Sequence, residues 1–330
     1  MIIVTGGSGF IGSNIVKSLN ERGIDNILVI DDLTNAEKVR NLTDLRTIDY
    51  SYWVDFSRQL EKGELPKGTQ AVLHQGACSD TLATDGRSVM EANFTFSKIL
   101  LKSCVNRKIP LIYASSAAVY GKGSHSSVDQ RDERPLNVYG YSKYLFDRLV
   151  NERIRTCHSQ VVGLRYFNVY GPREEHKGRM ASMIYQLFIQ MESHGSINLF
   201  EGTHGFGNGE QRRDFISVKD VVSVNLYMLD HTYVRGIVNV GTGKSWSFND
   251  VALAVINGYR EIEGKSKLSL QEAQKSEIIR YYPMPKELER KYQSFTEANI
   301  DSLRESGFDQ EITELEDGVG DYVRHLHRNI

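Results

Sequence analysis

Short apolar runs alternate along the first half of the chain with longer stretches in which apolar residues recur at helical spacing. A short run that is apolar throughout predicts a strand covered on both faces, and the longer stretches have the length of crossover helices. Strands and helices in this alternation predict a Rossmann-like α/β fold with a doubly wound parallel sheet. The predicted strands cover residues 2–5, 27–31, 71–75, 111–115 and 161–167, and the predicted helices cover residues 9–22, 89–107 and 138–157.

The pattern changes after residue 168, where the predicted loops lengthen and glycines concentrate at positions 202–209. This change predicts a second, smaller domain toward the C-terminus. Two further apolar runs, at 214–217 and 237–241, look like strands that rejoin the first sheet. We therefore expect a larger domain of residues 1–168 plus about 213–245, and a smaller domain of residues 169–212 plus 246–330.

The charge of the chain is nearly balanced, with 40 basic and 42 acidic residues and a formal net charge of −2. This balance predicts no basic surface for nucleic acid or for a membrane, so we expect a small-molecule ligand. The three cysteines form no CxxC pair, which argues against a zinc site and against a disulfide framework. We expect no metal site, no signal peptide and no membrane span, and a reducing compartment, the cytoplasm.

A glycine-rich turn follows the first predicted strand, in the sequence Gly6-Gly7-Ser8-Gly9-Phe10-Ile11-Gly12. Glycines at a strand-to-helix turn let backbone N–H groups approach a pyrophosphate at the positive end of the helix. The second predicted strand ends in Asp31-Asp32, and a carboxylate there accepts hydrogen bonds from the adenosine ribose of NAD. Lys38 is placed to bind the 2′-phosphate of NADP instead. The sequence therefore predicts a dinucleotide site in the larger domain and leaves NAD and NADP open.

Tyr139 and Lys143 form a Tyr-x-x-x-Lys pair, whose spacing places both side chains on one face of a helix. An ammonium beside a phenol stabilises the phenolate and lowers its pKa from about 10 toward the range useful in acid/base catalysis. Ser116 ends a predicted strand, at the edge where doubly wound folds bind ligands, and can bridge a substrate and Tyr139. Tyr282 and Lys286 have the same spacing, but the two prolines between them disrupt a helix, so we expect no function for that pair.

With these motifs the chain resembles the extended short-chain dehydrogenase family of nucleotide-sugar epimerases and dehydratases along nearly its whole length. Within that family it is most similar to the ADP-heptose 6-epimerases. That resemblance implies a cytoplasmic homo-oligomer, often a pentamer in the family, that uses NADP and makes the heptose precursor of lipopolysaccharide. The segments that carry it are 75–79, 136–143, 165–173, 176–178, 199–202, 213–215 and 291–296.

The resemblance also implies which residues form the site and assigns the smaller domain to substrate binding. The catalytic residues would be Tyr139, Lys177 and Ser116. The cofactor would be bound by Gly6, Gly9, Phe10, Ile11, Asp31, Asp32, Lys38, Gln75, Gly76, Ala77, Cys78, Ser79, Asn93, Lys143 and Val169. The sugar nucleotide would be bound by Asn168, Arg179, Phe200, Glu201, Gly202, Thr203, Arg213 and Tyr292.

The chemistry of epimerisation suggests an acid/base role for Lys177. Inverting a secondary alcohol by transient oxidation removes hydride from one face of a carbon and returns it to the other face. Tyr139 and Lys177 on opposite sides of the ketone would give each epimer its own acid/base. The hypothesis is therefore a two-base site in which the carbonyl group turns over between the half-reactions.

Other functions stay open at the level of the sequence. The nearest is a 4-epimerase or 4,6-dehydratase of a UDP-, GDP- or dTDP-sugar, although Ala117 and Ala118 stand where family dehydratases carry an Asp-Glu pair. A non-catalytic regulator that senses a dinucleotide would have no reason to keep the three catalytic residues together. Trp53 stands where the heptose epimerases carry a lysine near the adenosine, and this substitution weighs against NADP.

Overall fold

The computed structural model describes residues 1–122, 128, 133–286 and 292–328. Its central sheet contains β1 (Ile2–Thr5), β2 (Ile27–Asp31), β3 (Asp49–Tyr52), β4 (Ala71–His74), β5 (Leu111–Ser116), β6 (Val161–Tyr166) and β11 (Gly236–Val240). All neighbouring strands are parallel, in the order β3-β2-β1-β4-β5-β6-β11. The order reverses direction between β1 and β4, which is the point where doubly wound folds bind ligands. The predicted Rossmann-like α/β fold is confirmed.

Helices cover both faces of this sheet. Successive residues of a strand point to opposite faces, so Val4 packs in the layer that contains α1 and α7, and Ile3 packs in the layer that contains α2, α4 and α5. The helices are α1 (Phe10–Glu21), α2 (Trp53–Glu61), α3 (Gly86–Met90), α4 (Phe96–Arg107), α5 (Val138–Ile154), α6 (Met183–His194), α7 (Val218–Asp230), α8 (Phe248–Ile262), α9 (Leu270–Lys275), α10 (Asp301–Glu305) and α11 (Leu315–Arg328).

A second apolar core lies outside the central sheet, between α6, α8, α11 and the paired strands β8 and β13. Three short ribbons surround it: β7 (Asn168–Tyr170) with β10 (Phe215–Ser217), β9 (Arg212–Arg213) with β12 (Trp246–Ser247), and β8 (Ile197–Phe200) with β13 (Ile279–Tyr282). These strands carry three of the eight residues predicted to bind the sugar nucleotide, Asn168, Phe200 and Arg213. The exact division into two domains stays a prediction.

Two features of the fold differ from the expectation. The strand β3 was not predicted, because its residues are polar or exposed and it forms the edge of the sheet, where one side has no neighbouring strand. Of the two runs expected to rejoin the first sheet, Gly236–Val240 does so beside β6, whereas Phe215–Ser217 pairs with Asn168–Tyr170 in a separate ribbon. Apolar composition alone does not distinguish these two destinations for a short strand.

Candidate active site

The glycine-rich turn after β1 is shaped by close backbone contacts. Gly6 has a φ of +68°, and a side chain at Gly12 would bring its Cβ to 2.1 Å from the Gly6 carbonyl oxygen. Gly9 precedes α1 and provides no side-chain cap to the first turn of that helix. The turn therefore leaves helix N–H groups available at a surface without side chains, which fits a pyrophosphate. Gly6, Gly9, Phe10 and Ile11 line the cleft above it, as predicted from the motif.

The carboxylate of Asp31, at the end of β2, lies beside this turn. It accepts hydrogen bonds from the Ser8 backbone N–H at 2.8 Å and from the Lys38 ammonium at 2.9 Å. Lys38 also donates to the Asp32 carbonyl oxygen at 3.0 Å. The three predicted residues, Asp31, Asp32 and Lys38, line one pocket, and Trp53 lines the same pocket. The paired carboxylate and ammonium fit an adenosine ribose with its hydroxyls or its phosphate.

The loop after β4 forms the next part of the cleft, and a buried asparagine supports it. Asn93 lies on a π-helical turn, Glu91–Thr95, and is almost completely buried. Its side chain accepts from the Cys78 N–H at 2.7 Å and donates to the Cys78 carbonyl and the Ser142 hydroxyl, both at 3.0 Å. Asn93 thus supports the loop from behind. The loop residues Gln75, Gly76, Ala77, Cys78 and Ser79 line the cleft or its adenosine side.

Tyr139, Lys143 and Ser116 meet at the carboxyl end of β5. Tyr139 lies in the first turn of α5, whose N-terminus Asn137 caps by accepting from the Gly140 N–H at 2.8 Å. Ser116 and Tyr139 line the same cleft, and the Ser116 hydroxyl partly lowers the pKa of Tyr139. The Lys143 ammonium donates to the Ala114 carbonyl at 2.8 Å and lies 6.0 Å from the centre of the Tyr139 ring. The structure therefore brings together the three residues that the motif predicted.

Burial dominates the electrostatics of this group. It raises the pKa of Tyr139, and the Ser116 hydroxyl partly opposes that rise. It lowers the pKa of Lys143 to about 8, against the attraction of the Asp147 carboxylate one helical turn away. A phenol that holds its proton and an ammonium that is close to losing one are suited to proton transfer near neutral pH.

Lys177 lines the same cleft from another part of the chain, the 3₁₀ segment Glu175–Met180. Its ammonium is 5.4 Å from the centre of the Phe10 ring, and it lines the same cleft as Tyr139. Burial lowers the pKa of Lys177, and the carboxylate of Glu174 opposes that effect. The turn is tied to the first domain because Asn35 donates to the His176 carbonyl at 3.1 Å. Two amines of lowered pKa thus flank the cleft with Tyr139.

The buried arginine Arg213 marks the region predicted to bind the sugar nucleotide. Its guanidinium stacks 5.0 Å from the centre of the Tyr292 ring, and no carboxylate of the described residues lies within ion-pair distance of it. Burial lowers the pKa of Arg213 to about 10. A buried cation without an acidic partner is costly, and an anionic ligand group would offset that cost.

Phe200 packs between two tyrosines, Tyr292 and Tyr282. Its ring is 6.2 Å from that of Tyr292 and 4.8 Å from that of Tyr282, which is half-exposed. Tyr282 therefore adds to the aromatic wall, although its spacing from Lys286 gave no reason to expect a role. Its place beside Phe200 follows from the pairing of β13 with β8, which a single sequence does not reveal.

The remaining residues predicted to bind the substrate are Asn168, Glu201, Gly202, Thr203 and Arg179. Asn168 donates to the Asp214 carbonyl at 2.8 Å, and Val169 beside it lines the cleft. Glu201, Gly202 and Thr203 continue β8 into a loop closed by hydrogen bonds from Gln211 and to Asn208. Arg179 instead lies at the rim, largely exposed, and pairs with Asp80 at 2.9 Å. Residue 291, the first of a family-like segment, lies outside the described residues.

Two further findings limit the kinds of site present. The described residues contain no group of His, Cys, Asp or Glu side chains that could hold a metal ion. Among the same residues, no helix is both long enough and apolar enough to cross a membrane.

Comparison with known proteins places the chain among sugar-nucleotide enzymes. Residues 2–241 match the NAD dependent epimerase/dehydratase family. The chain is 50% identical over 324 residues, 98% of each protein, to ADP-L-glycero-D-manno-heptose-6-epimerase of Thiobacillus denitrificans. The crystal structure of the Helicobacter pylori ADP-L-glycero-D-manno-heptose-6-epimerase superposes with a TM-score of 0.80, at 30% identity over 99% of this chain and 96% of that one.

A more distant structure adds information about the cleft. The Thermus thermophilus UDP-glucose 4-epimerase, solved in complex with NAD, superposes with a TM-score of 0.79 at 25% identity, over 100% of this chain and 99% of that one. That structure contains a bound nicotinamide dinucleotide.

Proposed function

The chain belongs to the NAD dependent epimerase/dehydratase family, and from this premise we propose that it interconverts ADP-D-glycero-D-manno-heptose and ADP-L-glycero-D-manno-heptose. The observation that carries the proposal is the presence of two partly buried acid/base groups in one cleft, Tyr139 on α5 and Lys177 on the segment Glu175–Met180. A single base would serve only one orientation of the C6 oxygen well. The extended short-chain dehydrogenase resemblance is confirmed.

The two groups perform the proton transfers. Because burial lowers the pKa of Lys177, its amine is available to remove the C6 hydroxyl proton of one epimer. Because burial raises the pKa of Tyr139, its phenol holds a proton to supply to the oxygen after the ketone has turned over. In the reverse direction the two roles exchange. After a turnover in the forward direction, a proton returns from Lys177 to Tyr139, and this transfer restores the site.

A nicotinamide dinucleotide is the cofactor; when bound, it takes the C6 hydrogen as hydride and returns it to the opposite face of the ketone. Ser116 would orient the sugar oxygen toward Tyr139, because both side chains line the same cleft. Lys143 stabilises the phenolate and reaches toward the nicotinamide ribose. The glycine turn after β1 holds the pyrophosphate, and Asp31, Asp32 and Lys38 hold the adenosine ribose.

For the finer identity of the cofactor we propose NADP. Lys38 is the observation in its favour, since its ammonium neutralises Asp31 and lies where a 2′-phosphate would need a cation. The ring centres of Trp53 and Phe96 lie 5.5 Å apart. Because Trp53 adds no positive charge to the adenosine pocket, NAD stays the alternative cofactor. Mass spectrometry of the dinucleotide released by denaturing the purified protein decides between them. Release of NAD alone contradicts the NADP assignment.

For the sugar nucleotide we propose that Arg213 binds the diphosphate, with Phe200, Glu201, Gly202, Thr203 and Tyr292 around the nucleoside. The buried and unpaired guanidinium of Arg213 supports this role. Asn168 and Arg179 would contact the heptose side, and Arg179 must then leave its exposed ion pair with Asp80. Such an exposed pair contributes about 0–1 kcal/mol, so its loss is a small obstacle.

The alternative activities are less well supported. A 4,6-dehydratase lacks its acidic pair, because Ala117 and Ala118 follow Ser116 in the 3₁₀ turn Ala117–Tyr120. A 4-epimerase of another nucleotide sugar has no need for Lys177 at the cleft. A regulator without catalysis does not account for Ser116 and Tyr139 lining the same cleft.

The test is direct conversion of substrate. The purified protein is incubated with ADP-D-glycero-D-manno-heptose, and the C6 configuration is followed by NMR, with UDP-glucose as the parallel substrate. We expect inversion of the heptose and no conversion of UDP-glucose. Turnover of UDP-glucose with an unchanged heptose moves the assignment to a 4-epimerase.

The assembly and location of the enzyme are also proposals. The family resemblance supports a homo-oligomer, and a pentamer in particular, working in the cytoplasm on a precursor of lipopolysaccharide. Analytical ultracentrifugation of the purified protein tests the oligomer, and a monomer across the micromolar range contradicts it.

A further inference from the structure

A buried network of charged side chains lies directly behind the catalytic pair. Its centre is Asp147 on α5, which has no solvent-exposed surface. The Asp147 carboxylate accepts hydrogen bonds from the Tyr113 hydroxyl at 2.9 Å, the Ser115 hydroxyl at 2.8 Å and the Arg165 guanidinium at 2.8 Å. Three donors on β5 and β6 therefore converge on one carboxylate of the helix that carries Tyr139.

The network continues from Arg165 toward the surface. Arg165 forms an ion pair with the buried carboxylate of Glu133 and donates to the Tyr120 hydroxyl at 3.0 Å. Tyr120 in turn donates to the Asn239 side-chain oxygen at 2.6 Å. The positive charge of Arg165 offsets the charge of one of the two carboxylates, Glu133 and Asp147, so the three side chains together carry one net negative charge. That charge is equal and opposite to the charge of the Lys143 ammonium.

Lys143 needs a nearby anion because its ammonium is buried. A buried ammonium without a counter-charge loses its proton readily. The other titratable groups that face Lys143 are His74 of β4, which lies on a different element, and Tyr139 on its own helix. Burial lowers the pKa of His74 to about 3, so this residue is neutral at neutral pH. Asp147, four residues from Lys143 on α5, is the anion that remains.

We propose that Asp147 is a positioning residue for the catalytic pair, acting through Lys143 and Ser115. Its charge keeps the Lys143 ammonium protonated in a buried site. Its hydrogen bond to Ser115 fixes the end of β5 against α5, so that the neighbouring Ser116 faces Tyr139. No step of the reaction requires Asp147 to touch the substrate.

The first test measures the charge of Lys143 without any substrate. Lysine labelled with ¹³C at Cε is followed by NMR against pH, and the Lys143 signal is assigned by its absence in Lys143→Met. We expect Asp147→Asn, which keeps the shape of the side chain, to lower the Lys143 midpoint by about 1 pH unit. The matched control is Tyr113→Phe, which removes one hydrogen bond to Asp147 and no charge, and which leaves the midpoint unchanged. An unchanged midpoint in Asp147→Asn overturns the proposal.

The second test concerns catalysis and rests on the proposed function. We expect the alkaline limb of the kcat profile to move to lower pH in Asp147→Asn, so that the loss relative to wild type is about tenfold at pH 9 and about twofold at pH 7. An equal loss at every pH indicates a purely structural role and overturns the proposal. If Asp147→Asn does not fold, Glu133→Gln removes the other carboxylate and must shift the Lys143 midpoint in the same direction. Failure of the wild type to epimerise contradicts the proposed function alone, since the NMR titration needs no substrate.

Discussion

The two sides of the active-site cleft are built in different ways. Tyr139 rests on regular secondary structure, because α5 carries it and the parallel strand β5 carries its partner Ser116. Lys177 rests on a short segment, Glu175–Met180, in which Gly178 interrupts the 3₁₀ geometry and which pairs with no strand. Side-chain hydrogen bonds hold that turn to the first domain. One side is therefore fixed by backbone hydrogen bonds and the other by a few polar side chains.

This difference teaches where the site can be perturbed locally. On the Tyr139 side, regular secondary structure keeps the residue in place, so loss of a single polar contact is expected to lower stability and to leave activity close to the wild-type value. On the Lys177 side, cutting a hydrogen bond moves only the turn, so activity can fall while the fold stays intact.

The largest expected effect comes from removing either acid/base group. We expect Tyr139→Phe and Lys177→Met each to lower kcat about 10³-fold, within the range measured for general acid/base groups. Each variant should still oxidise the epimer whose own base remains, seen as a single-turnover rise in absorbance at 340 nm. The two variants should therefore respond to opposite epimers. Wild-type rates in either variant, or the same epimer preference in both, contradict the two-base scheme.

A smaller effect is expected from the hydrogen bonds that hold the Lys177 turn. Asn41 donates to the Ser8 and Arg173 carbonyls, both at 3.0 Å, and lies 3.2 Å from the Nδ1 atom of His176. We expect Asn41→Ala to lower kcat about 10- to 100-fold, since a displacement near 1 Å has this effect on a reacting group. Steady-state kinetics with the ADP-heptose measures the loss.

The matched control lies on the other side of the cleft. Asn137 caps α5, so Asn137→Ala should lower the free energy of unfolding by about 1 kcal/mol and leave kcat close to the wild-type value. Urea denaturation measures the stability of both variants. If the two asparagines affect kcat equally, the two sides of the cleft do not differ in the way described.

The same difference explains what the sequence predicts. The central strands were predicted nearly to the residue, because strands buried on both faces are apolar throughout, and Tyr139 and Lys143 were found from helical spacing. The edge strand β3 was missed because its exposed residues have no such pattern. Lys177 has no local signal at all and was identified only by resemblance.

Other roles depended on contacts between distant segments. Asn93 matched a cofactor-binding position, but its amide is fully used in holding Cys78 and Ser142. Tyr282 was dismissed on its spacing, yet strand pairing brings it against Phe200. Neither contact leaves a periodicity that a single sequence displays, because both join residues far apart along the chain.

Lowering the pH should also affect the stability of the two sides of the cleft differently. Burial lowers the pKa of His74, beneath the sheet, to about 3 and that of His176, in the turn, to about 4. The ordinary value is 6.5, so the folded state binds fewer protons below that pH, and stability is lost as the pH falls from 6.5 toward these values. For His74 the loss reaches about 2 kcal/mol by pH 5.

The measurement is hydrogen exchange at pH 7 and pH 5, corrected for the intrinsic rates. His74 can be protonated only if the sheet opens, whereas His176 can be protonated when the turn alone opens. We therefore expect residues 175–180 to lose protection at pH 5 before β4 does, and His176→Asn to reduce that loss. Simultaneous loss of protection in both regions is the contrary result.

The smallest expected effect comes from introducing backbone strain at Gly178, in the turn that carries Lys177. Gly178 has a φ of +53°, and a Cβ added there would meet nothing within 4 Å, so Gly178→Ala acts only through the backbone. We expect a cost of about 1 kcal/mol, which the turn relieves by shifting, and a fall in kcat of about fivefold.

Gly264 supplies the control for this last variant, since it has a φ of +69° and equally open surroundings after α8, far along the chain from the cleft. Gly264→Ala should lower the free energy of unfolding by a similar amount and leave kcat unchanged. Equal kcat values in the two variants mean that the backbone of the turn does not position Lys177. A selective fall in Gly178→Ala means that the backbone conformation of a residue with no side chain controls the position of a catalytic amine.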